Sequence, residues 1–196
     1  MTRFAARFRR SWAEFVGPEA TRTNTVLTVA ASAGGLVASV WTARRAGANT
    51  AVTPVLSVLA TDLVGGAYVN NTQACARWYE RPGQGHRQHL QFAGLHLHPV
   101  AIALADRSVG RQDRVLGWSA LHYGYLMAAT AVIRGLPRHR RGLGVALTAG
   151  GLALDRVLGP STVAPWFAWT YYPKLLLGHA ASSLWSDADL GAGVRH

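Results

Sequence analysis

Three ionisable side chains interrupt otherwise apolar stretches of this sequence, and each can carry or accept a proton: Asp62, His96 and Lys174. Asp62 is the one charge between Ala46 and Ala76, and Lys174 the one charge between Val157 and Ser186. A carboxylate and an imidazole held away from bulk water can act as general acid and base. Lys174 is the single lysine beside nineteen arginines. Lysine, unlike arginine, gives up its proton readily when desolvated, which suits an electrostatic, proton-transfer or covalent role. The spacing predicts an Asp62–Lys174 or Asp62–His96 interaction, and a Schiff base from Lys174 to a chromophore is a further option.

A second set is histidine. "HLQFAGLHLHPVAIALADR", residues 89–107, carries His89, His96 and His98 in a mostly apolar run. On an unbroken helix His89 and His96 share a face, while His98 turns about 200° from His96, so one ligand does not take all three. Pro99 would relax that constraint by kinking the segment. His98 with His122, and His89 with His179, fall at matching depths on separate segments, the arrangement that haem or metal ligation across a bundle needs. These four histidines form the alternative, redox reading. The single cysteine, Cys75, excludes an internal disulfide and a cysteine-based metal cage.

Two further stretches carry binding chemistry. In "GGAYVNNTQACARWYERPGQGHRQH", residues 65–89, Asn70, Asn71, Arg77 and Arg81 have the donors to hold a lipid phosphate or polar headgroup. In "WTYYPK", residues 169–174, Tyr171 and Tyr172 sit beside Lys174 and are placed to line a pocket. Asp155 and Arg156 read as an ion pair or cap near a helix end.

The elements that must position these residues are apolar helices. Charged residues make up 15% of the 196-residue chain, against roughly 25% in soluble domains. Residues 23–42, 88–105 and 115–133 contain none, counting histidine as neutral. A bilayer core needs about 20 predominantly apolar residues of helix, and these runs lack the charged outer stripe of a soluble amphipathic helix. The pattern predicts an all-α, polytopic transmembrane helical bundle with about six spans, near 24–43, 51–71, 88–105, 115–134, 142–159 and 163–185. The fifth is the weakest, because Asp155 and Arg156 shorten its apolar part, and a re-entrant fifth segment is the alternative. Residues 1–22 form a basic segment before the membrane domain (23–186), and 187–196 form a tail.

With the N-terminus cytoplasmic, thirteen arginines fall on that side and six, including Arg114, on the other. The positive-inside rule therefore places both termini in the cytoplasm. Phe4, Phe8, Trp12 and Phe15 recur at helical spacing among arginines, describing an amphipathic helix on the membrane surface before Pro18. Small residues at four-residue steps, Ala30–Gly34–Ala38 and Gly142–Ala146–Gly150, predict ridges where helices approach closely. Arginine-over-lysine, Ala- and Gly-rich usage fits a GC-rich bacterial genome, hence an inner-membrane protein.

The net charge of +11 lies in the connecting blocks, where it faces anionic headgroups. No nucleic-acid motif, nucleophile elbow, phosphate loop or HExxH accompanies it. Membrane lipid is the expected partner and nucleic acid is not. The expected activity is that of a membrane-embedded enzyme on a lipid or isoprenoid-like substrate. Asp62 and His96 would be acid and base, Lys174 their electrostatic partner, and Arg77 and Arg81 the headgroup clamp. The alternatives are a haem or metal redox protein, a proton-coupled transporter and a non-catalytic membrane subunit.

Overall fold

A computed structural model describes residues 3–111 and 115–191. Arg114, the residues past 191 and the side chains of Phe4 and Phe8 lie outside the described residues. The regular structure is all helix, with no strand among the described residues. In order come α1 (Arg3–Val16), α2 (Arg22–Arg45), α3 (Val52–Val69), α4 (Gln73–Tyr79), α5 (His86–Gly94), α6 (His98–Arg107), α7 (Val115–Gly135), α8 (Arg140–Leu158) and α9 (Phe167–Tyr172). A short 3₁₀ turn, Pro137–His139, leads into α8, and α9 runs on as a π-helical segment, Pro173–Ala180. Among the described residues, α2 and α3 are long and apolar enough to cross a membrane.

Local chemistry sets several boundaries. Thr21 starts α2 with a reciprocal cap: its hydroxyl accepts from the Asn24 N–H, and the Asn24 side chain accepts from the Thr21 N–H, both at 3.1 Å. Thr72 caps α4 through the Cys75 N–H. The run 88–105, expected as one helix, is two. α5 stops at Gly94 and α6 starts at His98 with Pro99 in its first turn. Proline has no N–H to donate and its ring crowds the carbonyl four residues earlier, so the helix gives way at residues 95–97. The run expected near 142–159 is one unbroken helix, α8, of 19 residues.

α2 and α3 form a close hairpin, but not along the expected ridge. Gly34 has nothing near it, whereas a Cβ on Gly35 would lie 2.7 Å from the Ala60 carbonyl oxygen. Thr28, Gly35, Ser39 and Ala43 are the buried stripe of α2. Ser39 donates to the Leu36 carbonyl, and Ser32, also turned to α3, donates to that of Thr61. α8 also departs from its expected ridge. Its buried stripe is Gly144, Thr148, Gly151 and Asp155, with Gly151 against the Tyr172 ring and Gly142 open.

α9 and the π segment run through the centre of the bundle, packed on α3, α7 and α8. Phe167, Tyr171, Tyr172, Leu175 and Leu176 are buried there. The carbonyls at the end of the π segment lose their helical partners and are taken up by arginines. Arg134 donates to Ala180 O and pairs with Glu80 at 2.7 Å. Arg140 holds the Ala181, Ser182 and Trp185 carbonyls and pairs with Asp187. Arg141 donates to Ser183 O.

Candidate functional site

Asp62 and Gly66 lie one turn apart on α3 and so face the same neighbour, which is the π segment. A π-helix is wide and rare, and it begins here at Pro173, which cannot close an ordinary helical hydrogen bond. Two asparagines at the end of α3 hold this backbone in place. Asn70 Nδ2 donates to Lys174 O at 3.3 Å and Asn71 Nδ2 to Pro173 O at 3.1 Å. Gly178 completes the contact, since a Cβ there would lie 2.8 Å from Asn70 O.

Lys174 then crosses Gly66 and its Nζ donates to Asp62 Oδ2 at 2.5 Å. The same oxygen accepts from His98 Nε2 at 3.0 Å. One carboxylate oxygen thus joins donors from α6 and the π segment. His98 Nδ1 is buried without a hydrogen-bond partner, so the ring carries a free acceptor when neutral. The His96 ring stacks on His98, with centroids 5.3 Å apart and planes within 18°. Its Nδ1 donates to Phe92 O at 2.7 Å, and Tyr171 donates its hydroxyl to His96 O at 3.0 Å.

The cluster borders a groove through Asp62. Asp62 lines an apolar groove of about 490 Å³ with Trp12, Phe15, Val29, Leu36 and Val58. Its side chain is 39% exposed while that of Lys174 is 2% exposed. The carboxylate faces the groove and the ammonium is closed in behind it. Of the two interactions expected of Asp62, the one with Lys174 is present. His98 occupies the place expected for His96, because the break between α5 and α6 re-aims both rings.

The other histidines go elsewhere. His122 meets Tyr172, Nδ1 to the hydroxyl at 2.6 Å, and faces Asp155 Oδ1 at 3.6 Å through Nε2. It therefore does not pair with His98. Asp155 is buried toward His122 while Arg156 is exposed. His89 and His179 do come together, with ring centroids 4.6 Å apart, flanked by Phe92 and Tyr79. Rings in contact leave no gap for a haem plane between them. None of their four nitrogens has a well-formed hydrogen bond, although the Tyr79 and His179 backbone lies close to His89. Among the described residues no three His, Cys, Asp or Glu side chains gather as metal ligands.

The residues expected to bind a headgroup are dispersed. Asn71 and Arg77 line a polar pocket of about 520 Å³ with Glu19, Asn24, Gln73 and Trp185. Arg77 is already engaged there, with Glu19 at 2.9 Å and Asp189 O at 2.8 Å. Arg81 turns back over the Trp78 ring, 3.5 Å from its centroid. Asn70, Tyr171 and Tyr172 are buried and act on the site through neighbours. Beside Asn70, the Cys75 thiol lies near Phe15 O and Asn70 Oδ1, and burial pushes its pKa up to about 12. Gly66 and the Glu80–Arg134 pair were not singled out by sequence. The Gly65–Gly66 pair one turn past Asp62 was the available signal for the first, and nothing local marked the second. Compared with family models, curated proteins and solved structures, the chain matches none.

Proposed function

We propose that this chain is a six-span protein of a bacterial inner membrane, with both termini cytoplasmic. In this reading Asp62, Lys174 and His98 form the acid–base centre of an enzyme acting on a lipid or isoprenoid-like substrate. The observation that carries it is a buried ammonium–carboxylate–imidazole cluster whose carboxylate alone opens into an apolar groove. Ionisable groups placed among apolar helices are costly and are kept where they act on something.

The span count is supported by α7 and α8, of 21 and 19 residues, and by the two interrupted runs, α5–α6 and α9 with the π segment. Irregular backbone at membrane depth is tolerated where protein encloses it, and the break between α5 and α6 and the π-helical widening after α9 both border the Asp62 cluster. The apolar part of the substrate lies in the groove. Asp62 takes a proton from the substrate and becomes neutral, Lys174 stabilises the negative charge left on the substrate, and His98 exchanges the proton through its free Nδ1. Asn71 and Arg77, in the polar pocket, are the residues to bind a headgroup.

The test is untargeted mass spectrometry of lipid extract vesicles incubated with purified protein. The expected result is conversion of a lipid species by the wild-type chain and none by Asp62→Asn. A wild-type protein that is folded in the vesicles and converts nothing sinks the reading.

A further inference from the structure

We propose that Lys174 forms an imine with an apolar aldehyde or ketone that enters by the groove at Asp62. This rests on the acid–base reading above and names the chemical class of its substrate. Four observations carry it. Among the described residues the chain uses arginine in the pairs Glu80–Arg134 and Arg140–Asp187 and histidine in the buried pair His122–Asp155. At Asp62 alone it uses the one lysine in its sequence. Arginine would serve a structural pair at least as well, but only an amine can attack a carbonyl.

Second, Nζ is enclosed and hydrogen-bonded to Asp62, so bulk water does not compete for an imine once formed. Third, Asp62 is the wall between Nζ and an apolar groove of about 490 Å³, large enough for a chain of aliphatic carbons. Fourth, His98 stands on the same carboxylate oxygen with a free buried Nδ1, ready to carry protons between nitrogen and oxygen.

The step balances without any further reagent. Lys174 passes one proton to the Asp62 carboxylate, and the freed lone pair attacks the carbonyl carbon, forming the C–N bond. A second proton moves from nitrogen to the carbonyl oxygen by way of His98, giving a carbinolamine. Asp62 returns its proton to that hydroxyl, the C–O bond breaks, and water leaves. The protonated imine keeps the positive charge that Lys174 began with, and Asp62 is again its counter-ion.

Reductive trapping tests this. The protein in phospholipid vesicles is treated with decanal or with propanal in the presence of cyanoborohydride, then digested and mapped by mass. Decanal is expected to label Lys174 about tenfold faster than the chain's α-amino group, and propanal to show no such preference. Val58→Trp, which fills the groove, is expected to abolish the Lys174 label and spare the α-amino label. An α-amino label without a Lys174 label overturns the imine, as does labelling that ignores chain length and Val58→Trp. Asp62-dependent lipid conversion with Lys174 unlabelled sinks the imine alone, leaving the acid–base reading in place.

Discussion

Gly66 lies directly under the Lys174 stem: a Cβ there would sit 2.5 Å from both Cδ and Cε. Asp62 is one turn earlier on the same face of α3, so the missing side chain is the corridor by which the ammonium reaches its carboxylate. Gly66→Ala closes that corridor. The expected loss is about 1–3 kcal/mol of stability, as for other overpacked interiors, with lipid conversion falling more than tenfold. Thermal unfolding in detergent measures the first and the vesicle assay the second. An unchanged Tm with full conversion would show that Lys174 needs no such passage.

Removing one partner of the ion pair leaves the other charge stranded. Asp62→Asn is expected to cost about 2 kcal/mol, short of the 3–5 kcal/mol of a fully enclosed pair, because the carboxylate is 39% exposed. Lys174→Met leaves a carboxylate that still faces the groove and costs less. The double variant recovers stability relative to Asp62→Asn while remaining inactive. A double-mutant cycle with no coupling would contradict the 2.5 Å contact.

Glu80 and Arg134 are nearly enclosed, at 14% and 13% side-chain exposure, and Arg134 also holds Ala180 O at 3.1 Å. Glu80→Gln is expected to destabilise the protein by about 3 kcal/mol. It should also speed amide hydrogen exchange at residues 180–183. Exchange unchanged there would mean that the arginines do not hold the end of the π segment.

Burial raises the Cys75 thiol from 9.0 to about 12. The ionised thiol is favoured in the unfolded chain, so this group's contribution to stability is complete below pH 9 and is lost as pH rises toward 12. Native protein should react with iodoacetamide at pH 8 at least about tenfold more slowly than denatured protein. Cys75→Ala should flatten the alkaline decline in Tm. Equal reaction rates would show an accessible thiol.

The proposed six-span topology predicts sidedness. On a Cys75→Ala background, cysteines replacing Arg87 and Arg138 should react with an impermeant maleimide from the face that holds the N-terminus. Cysteines replacing Thr50 and Arg107 should react from the opposite face. These four positions are exposed. A mixed pattern would remove at least one span.

Much of this protein is decided along the chain. Long uncharged runs can only be helices with buried or lipid-facing sides, and the all-helical structure follows from them. Asp62 and Lys174 are legible as partners for a related reason: each is alone in its run, and an isolated charge among apolar helices must find its opposite. What the chain does not decide is direction wherever a helix is interrupted. His96 and His98 lie on opposed faces of an ideal helix, but the break before Pro99 lets their rings stack and puts His98 on Asp62. The π segment likewise sends Lys174 over Gly66. The close-packed stripes depart from the small-residue ridges: Thr28, Ser39 and Thr148 are turned inward with Gly35 and Gly151. Asn70 and Arg81, neighbours in one polar loop, part company because one is drawn under the π segment and the other onto Trp78. Spacing fixes the angle between two side chains only while the helix between them is continuous. Past a break, that angle belongs to the packing of separate elements, and only the folded structure supplies it.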